Sequence, residues 1–127
     1  MPQPSEPCPC GLDSSYADCC GRLHDGRASA ATAEELMRSR YSAFAVRDAA
    51  YLLRTWAAAT RPAGLRLDDD IHWTGLEILA TTGGSPFHTE GTVEFRAHYE
   101  LDGRPSHQQE LSRFVRENGD WVYVAAL

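Results

Sequence analysis

The chain has 127 residues, with 12 basic against 18 acidic side chains and a formal net charge of -6. This length fits one domain of typical size plus a small appendage, and it is long enough to bury a real core. The acidic balance argues against a surface that coats nucleic acid, and no stretch approaches the roughly 18 apolar residues of a membrane span. We therefore expect neither nucleic acid nor a membrane as a partner.

The first seven residues contain three prolines and no apolar periodicity, so an extended or disordered arm is predicted there. They also lack the basic start and apolar core of a signal peptide. A cytoplasmic location, where thiols stay reduced, is the expectation that follows.

All four cysteines of the chain fall in one short segment, at Cys8, Cys10, Cys19 and Cys20. This spacing gives two tight pairs separated by a loop that can fold back, the arrangement that a tetrahedral zinc site requires. Disulfides between the two pairs, or idle thiols, are the alternatives, since adjacent cysteines rarely bridge each other. We predict a structural zinc knuckle with these four ligands.

A short helical turn beginning near Asp18 is expected to present the second cysteine pair to the metal. His24 lies four residues beyond Cys20 and is a possible substitute ligand. Four thiolates already complete the tetrahedron, so the four-cysteine set is the prediction and a site with three cysteines and His24 is the alternative.

The sequence CPC, followed by eight residues to CCG, resembles the SEC-C motif, the small zinc-binding module at the C-terminus of the SecA translocation ATPase. Four later segments resemble the bacterial YchJ family, namely residues 36–44, 75–78, 91–96 and 112–117. The resemblance covers nearly the whole chain. It implies a SEC-C-like zinc knuckle at residues 1–25 and a nuclear transport factor 2-like (NTF2-like) domain at residues 26–127, without implying a defined reaction.

Two helices are predicted after a small-residue linker. Thr32 with Glu35 forms a capping-box pattern at the start of the first helix, and Asp48 can cap the second. Apolar residues recur at steps of three and four along the first helix, which predicts one buried face. Arg40 lies on that face, so its guanidinium must either find carboxylates or carbonyls inside or extend to solvent.

After an acidic turn the apolar period changes from helical to alternating. Strands are predicted at residues 71–79, 91–101, 107–116 and 121–125, with Asp102-Gly103 and Asn118-Gly119 as turns. Two helices followed by an antiparallel meander indicate an α+β fold with the helices on one face of a curved sheet. This agrees with the NTF2-like cone that the family resemblance implies.

A cone of this type encloses a cavity, the usual site of function. The predicted lining residues are Arg40, Tyr41, Trp56, Trp73, Glu77, Glu110, Arg113 and Tyr123. Ion pairs between these arginines and Glu77, Glu94 or Glu110 could hold the sheet in shape without doing chemistry. The histidines lack a neighbouring nucleophile, and no phosphate loop or dinucleotide glycine signature occurs.

Three functions fit these features. The first is an adaptor or binding module, in which the knuckle presents Leu12 and Tyr16 to a protein partner while the cavity binds a ligand. The second is an isomerase or hydratase with Glu77 or Glu110 as general base. The third is a purely structural zinc staple. The sequence favours binding over catalysis, and an exposed sheet face would also allow a homodimer.

Overall fold

A computed structural model describes residues 5–127. Residues 1–4 of the predicted N-terminal arm lie outside the described residues. Three helices are followed by four strands, in the order α1 (Cys20–His24), α2 (Ala33–Val46), α3 (Ala49–Arg54), β1 (Ile71–Gly83), β2 (Glu90–Leu101), β3 (Arg104–Glu117) and β4 (Asp120–Ala126). No helix among the described residues is long and apolar enough to cross a membrane.

The strands form one sheet in the order β1-β2-β3-β4, and every neighbouring pair is antiparallel. The α+β prediction is therefore confirmed. The strands run further toward their turns than predicted. At Asp102-Gly103 and Asn118-Gly119 both turn residues have positive φ, the conformation of a two-residue hairpin loop whose flanking residues still pair.

Both predicted helix starts are confirmed by their hydrogen bonds. The Thr32 hydroxyl accepts from the Glu35 amide at 3.0 Å, and the Asp48 carboxylate accepts from the Tyr51 amide at 3.0 Å. The Glu35 carboxylate accepts from the amide of Ala31 at 3.1 Å, so the reciprocal half of the capping box reaches one residue before the cap. These bonds fix where α2 and α3 begin.

The main hydrophobic core joins the cysteine segment, α2 and the sheet in one cluster. Its buried members are Cys8, Cys10, Cys20, Ala33, Leu36, Met37, Tyr41, Val93, Phe95, Ala97, Phe114 and Trp121. Val93, Phe95 and Ala97 alternate along β2, as a strand with one buried face requires. The N-terminal segment therefore packs on the same core as the sheet and contributes sulfur atoms to it.

Candidate metal centre and interior cavity

The four cysteine sulfur atoms lie close enough together to ligate a single ion. All four Sγ atoms lie within 4.8 Å of one another, and those of Cys10 and Cys19 are 3.6 Å apart. A tetrahedral zinc ion with Zn–S bonds near 2.3 Å needs sulfur atoms roughly 3.8 Å apart. All four are free thiols rather than disulfides. The donor set therefore fits a tetrahedral, thiophilic metal ion.

Local backbone bonds bring the two cysteine pairs to one point. The Gly11 amide donates to the Cys8 carbonyl at 3.2 Å, and Gly11 has a φ of 89°, a turn that glycine adopts without steric cost. Cys19 is the N-cap of α1 and Cys20 its first residue. The predicted helical turn is present, and it begins just after Asp18.

The sulfur cluster is buried against α2. Cys8, Cys10 and Cys20 are 4%, 0% and 2% exposed, whereas Cys19 is half-buried. The Cys8 Sγ lies 3.7 Å from the Ser42 Oγ, and Arg38 Nη1 donates to the Cys10 carbonyl at 3.0 Å. The cluster is thus fixed to the helix by contacts at two different cysteines.

The pKa values of Cys8, Cys19 and Cys20 indicate that the cluster needs positive charge from a bound ion. Hydrogen bonds from Cys10 and Cys20 lower the pKa of Cys8, whereas hydrogen bonds with Cys10 and Cys8 raise the pKa of Cys20. Burial raises the pKa of Cys19 to about 12. Negative charge on one sulfur therefore opposes ionisation of its neighbours. A divalent cation would provide the positive charge that four thiolates need.

His24 is placed by hydrogen bonds away from the four-cysteine cluster. Its Nδ1 lies 2.6 Å from the Tyr16 hydroxyl, and its Nε2 lies 2.8 Å from the Ser39 carbonyl. Both ring nitrogens therefore have partners, and the alternative of His24 as a ligand is not supported. Tyr16 is half-buried with its hydroxyl at this bond, and its presentation to a protein partner stays a prediction. Leu12 remains 45% exposed.

A cavity of about 230 Å³ lies between α2 and the sheet. Six of the eight predicted lining residues border it, namely Arg40, Tyr41, Trp56, Trp73, Glu110 and Tyr123. The prediction missed a further six, which are Met37, Phe44, Phe95, Ala97, Gln108 and Ser112. The sequence carries signals for four of these residues. Met37 and Phe44 lie at helical spacing from Tyr41, and Gln108 and Ser112 lie two residues from Glu110 on the same strand.

Glu77 and Arg113 do not line the cavity, so their prediction as lining residues is corrected. A β-bulge between Trp73 and Gly75 shifts the register, so that Glu77 faces the side opposite to Trp73. There the His98 Nε2 lies 2.5 Å from Glu77 Oε1, and the hydrogen bond from His98 lowers the pKa of Glu77.

Arg113 follows the buried Ser112 in β3 and therefore faces the outer side of the sheet. Its Nη2 donates to the Glu90 carboxylate at 2.7 Å.

Arg40 is 4% exposed and borders the cavity. Its Nη1 donates to the Leu52 carbonyl at 2.8 Å and to the Thr55 hydroxyl at 2.7 Å. Its guanidinium carbon also lies 4.7 Å and 5.2 Å from the ring centroids of Tyr123 and Trp56. The sequence left two alternatives for Arg40, and the structure shows the first: its guanidinium bonds to oxygen atoms inside the protein and does not extend to solvent. Burial lowers the pKa of Arg40 to about 10, so it stays charged at neutral pH.

Glu110 is the cavity's carboxylate. Its Oε2 accepts hydrogen bonds from the Ser112 hydroxyl and, at 3.3 Å, from the Tyr123 hydroxyl. Burial raises the pKa of Tyr123 to about 12, which keeps this hydroxyl protonated as a donor. The side chain of Glu110 is therefore held in place by two donors from its own sheet.

The fold and the cysteine cluster define an NTF2-like α+β protein with a SEC-C-type segment. Residues 32–126 match the family model described as "YchJ, middle NTF2-like domain". The chain therefore belongs to the YchJ family. It is 60% identical to a UPF0225 protein of Streptomyces coelicolor, over 95% of this chain and 94% of that protein. A UPF0225 protein of Deinococcus radiodurans is 47% identical, with 97% and 90% covered.

Two solved structures share the arrangement. A SEC-C motif containing protein from Rhodopseudomonas palustris superposes with a TM-score of 0.81 at 31% identity, over 94% of this chain and 96% of that chain. A SEC-C motif containing protein from Psychrobacter arcticus gives a TM-score of 0.77 at 30% identity, over 96% and 82%. The similarity therefore spans the cysteine segment as well as the sheet.

Proposed function

We propose that this protein is a zinc-binding protein that holds a small ligand in its interior cavity. Cys8, Cys10, Cys19 and Cys20 bind the ion, which fixes the N-terminal segment against α2. The observation that carries the proposal is the shared core: the buried cysteines belong to the same cluster as Met37 and Tyr41, two residues that border the cavity. Metal binding and the shape of the cavity are thereby coupled through α2.

The metal's role in this proposal is structural. Four thiolates leave no open coordination position for water or substrate, which disfavours catalysis at the ion. In this proposal residues 1–25 form the zinc segment and residues 26–127 the cavity-bearing domain. Zinc-bound thiols require reducing conditions, which favours a cytoplasmic location. Leu12 is the exposed apolar residue of the segment that a protein partner can contact.

An isomerase or hydratase remains the second candidate, because one of its two proposed bases borders the cavity. Glu110 would be the base and Tyr123 the electrophilic donor. Glu77 is excluded from this role by its position on the outer face. The bonds from Ser112 and Tyr123 occupy one oxygen of Glu110, and this favours a positioning role over proton abstraction.

The metal half of the proposal is tested by elemental analysis and native mass spectrometry of protein purified without chelators. We expect one zinc ion per chain, lost in Cys10→Ser and retained in Leu12→Ser, a matched change at an exposed position of the same loop. Metal-free protein with two disulfides would contradict the proposal. The ligand half is tested by NMR screening of the zinc-loaded protein against a small-molecule fragment panel, with shifts expected at cavity residues.

A further inference from the structure

We propose that the cavity binds a small apolar monocarboxylic acid, with its carboxylate at the guanidinium of Arg40. This inference rests on the proposed ligand-binding function and names the chemical class of the ligand. It follows from a buried charge that forms no ion pair, from the character of the cavity wall, and from the position of a second charge in the same wall.

The charge of Arg40 has no carboxylate partner. Within residues 5–127, none of the ion pairs includes this arginine, and the arginines that do form ion pairs all have more exposed side chains. The acceptors of Nη1 are a carbonyl and a hydroxyl, which carry partial charges only. The charge of Glu110 acts on Arg40 without an ion pair, so an anion in direct contact with the guanidinium inside the adjoining cavity would gain a strong, desolvated interaction.

The remainder of the wall is largely aromatic and apolar. Tyr41 and Phe44 each lie 5.9 Å, ring centroid to centroid, from Trp73, and all three border the cavity. Phe95 and Met37 add further apolar surface. Such a wall favours a planar or aliphatic body attached to the anionic group. A volume of about 230 Å³ restricts that body to a small one.

Glu110 sets the number of charges that the ligand can carry. It borders the same cavity, but its observed partners are Ser112 and Tyr123 rather than Arg40. A second negative charge on the ligand would be repelled by this carboxylate without a second cation to offset it, because Arg40 is the only arginine that lines the cavity among residues 5–127. The site therefore selects a monoanion over a dianion.

The test compares benzoate with benzamide, a neutral probe of nearly the same shape, by NMR titration of the zinc-loaded protein. Benzoate is expected to bind roughly tenfold more tightly, the effect of one charge-assisted hydrogen bond. Shifts should appear at Arg40, Trp73 and Tyr123. Phthalate, a dianion, should bind more weakly than benzoate.

Variants separate charge from packing. Arg40→Met should abolish the preference for benzoate while benzamide still binds, whereas Arg40→Lys should retain much of the preference. Arg113→Met removes an arginine on the outer face and should leave both affinities unchanged. Arg40→Met leaves the Leu52 carbonyl without this donor. If that variant does not fold, the wild-type ratio and Arg40→Lys still decide the question.

The outcomes distinguish this inference from the function on which it rests. Equal binding of benzoate and benzamide would overturn the carboxylate assignment and leave small-ligand binding intact. Failure of both probes would also overturn the assignment. If the whole fragment panel then failed as well, the proposed ligand-binding function would be overturned too. Preference for benzoate that persists in a folded Arg40→Met variant would show that another group binds the anion.

Discussion

The Sγ of Cys8 lies 3.7 Å from the hydroxyl of Ser42, a fully buried side chain of α2. One of the four sulfur atoms thereby contacts the helix that also supplies Arg40 and Tyr41 to the cavity. A structural ion at this position would stabilise more than its own loop. Any agent that removes it is expected to change the stability and the packing of the larger domain.

Chelation provides the first test of this coupling. EDTA should lower the melting temperature of the zinc-loaded protein, because an ion that binds only the folded state stabilises it by mass action. Cys20→Ser should start from a lower melting temperature and respond little to EDTA. Differential scanning calorimetry with and without chelator measures both effects. An equal response in the two proteins would contradict the coupling, and Leu12→Ser serves as the control.

Replacing His24 distinguishes a packing role from a ligand role. His24→Ala should lower the free energy of unfolding by about 2 kcal/mol, because the Ser39 carbonyl and the Tyr16 hydroxyl lose their partner. The zinc content should stay at that of the wild type. Denaturant unfolding together with elemental analysis gives both quantities. His72→Ala, at an exposed position, is the control, and zinc loss in His24→Ala alone would restore the histidine as a ligand.

Much of the backbone plan follows from local signals in the sequence. Thr32 and Asp48 cap helices because their side chains bond to amides three residues ahead, a relationship visible in the sequence alone. Asn118-Gly119 forms its turn for a similarly local reason. The clustering of the cysteines was also predictable, since their spacing allows few other uses for four thiols.

The assignments that were wrong or left open are those that distant parts of the chain decide. Strict alternation from Trp73 places Glu77 in the cavity, and the bulge at Gly75 reverses this assignment. The acceptors of Arg40 lie 12 and 15 residues away, in and just after another helix, and no sequence pattern indicates them. Register and non-local partners are therefore the features that required a structure.

The close approach of two glycine backbones predicts a steric effect. A Cβ at Gly91 would lie 2.6 Å from the Cα and the nitrogen of Gly84, which are backbone atoms that cannot rotate away. Gly91→Ala should therefore cost roughly 1–3 kcal/mol in the free energy of unfolding, measured with denaturant. Gly75→Ala in the neighbouring strand meets nothing within 4 Å and should be nearly neutral. Similar losses in both variants would indicate a general effect of glycine replacement.

The carboxylate on the outer face should titrate unusually low. The hydrogen bond from His98 lowers the pKa of Glu77 below its ordinary value of 4.5. The resulting stabilisation is present above pH 4.5 and is lost as the pH falls through the folded-state pKa. NMR titration of the Glu77 carboxyl carbon should show the low value in the wild type and in His72→Ala. His98→Ala should raise it, and an unchanged value would contradict the assigned cause.

Buried tyrosines should limit stability in alkaline solution. Burial raises the pKa values of Tyr41 and Tyr123 from 10 to about 12. The neutral phenols favour the folded state, so their contribution is complete below pH 10 and is lost as the pH rises toward 12. Phenolate absorbance followed against pH should show a late step that shrinks in Tyr123→Phe. Complete ionisation by pH 10 in folded protein would contradict this prediction.

Trp121 in β4 and Cys10 near the other end of the chain belong to the same buried cluster. During synthesis the ribosome releases the thiols long before the last strand of this cluster exists. Metal capture can therefore take place on the nascent polypeptide, while the ligands are still open to the cellular metal pool. Once the fold is complete, three of the four sulfur atoms are buried, so an ion acquired early would be released most readily from the side of the half-buried Cys19.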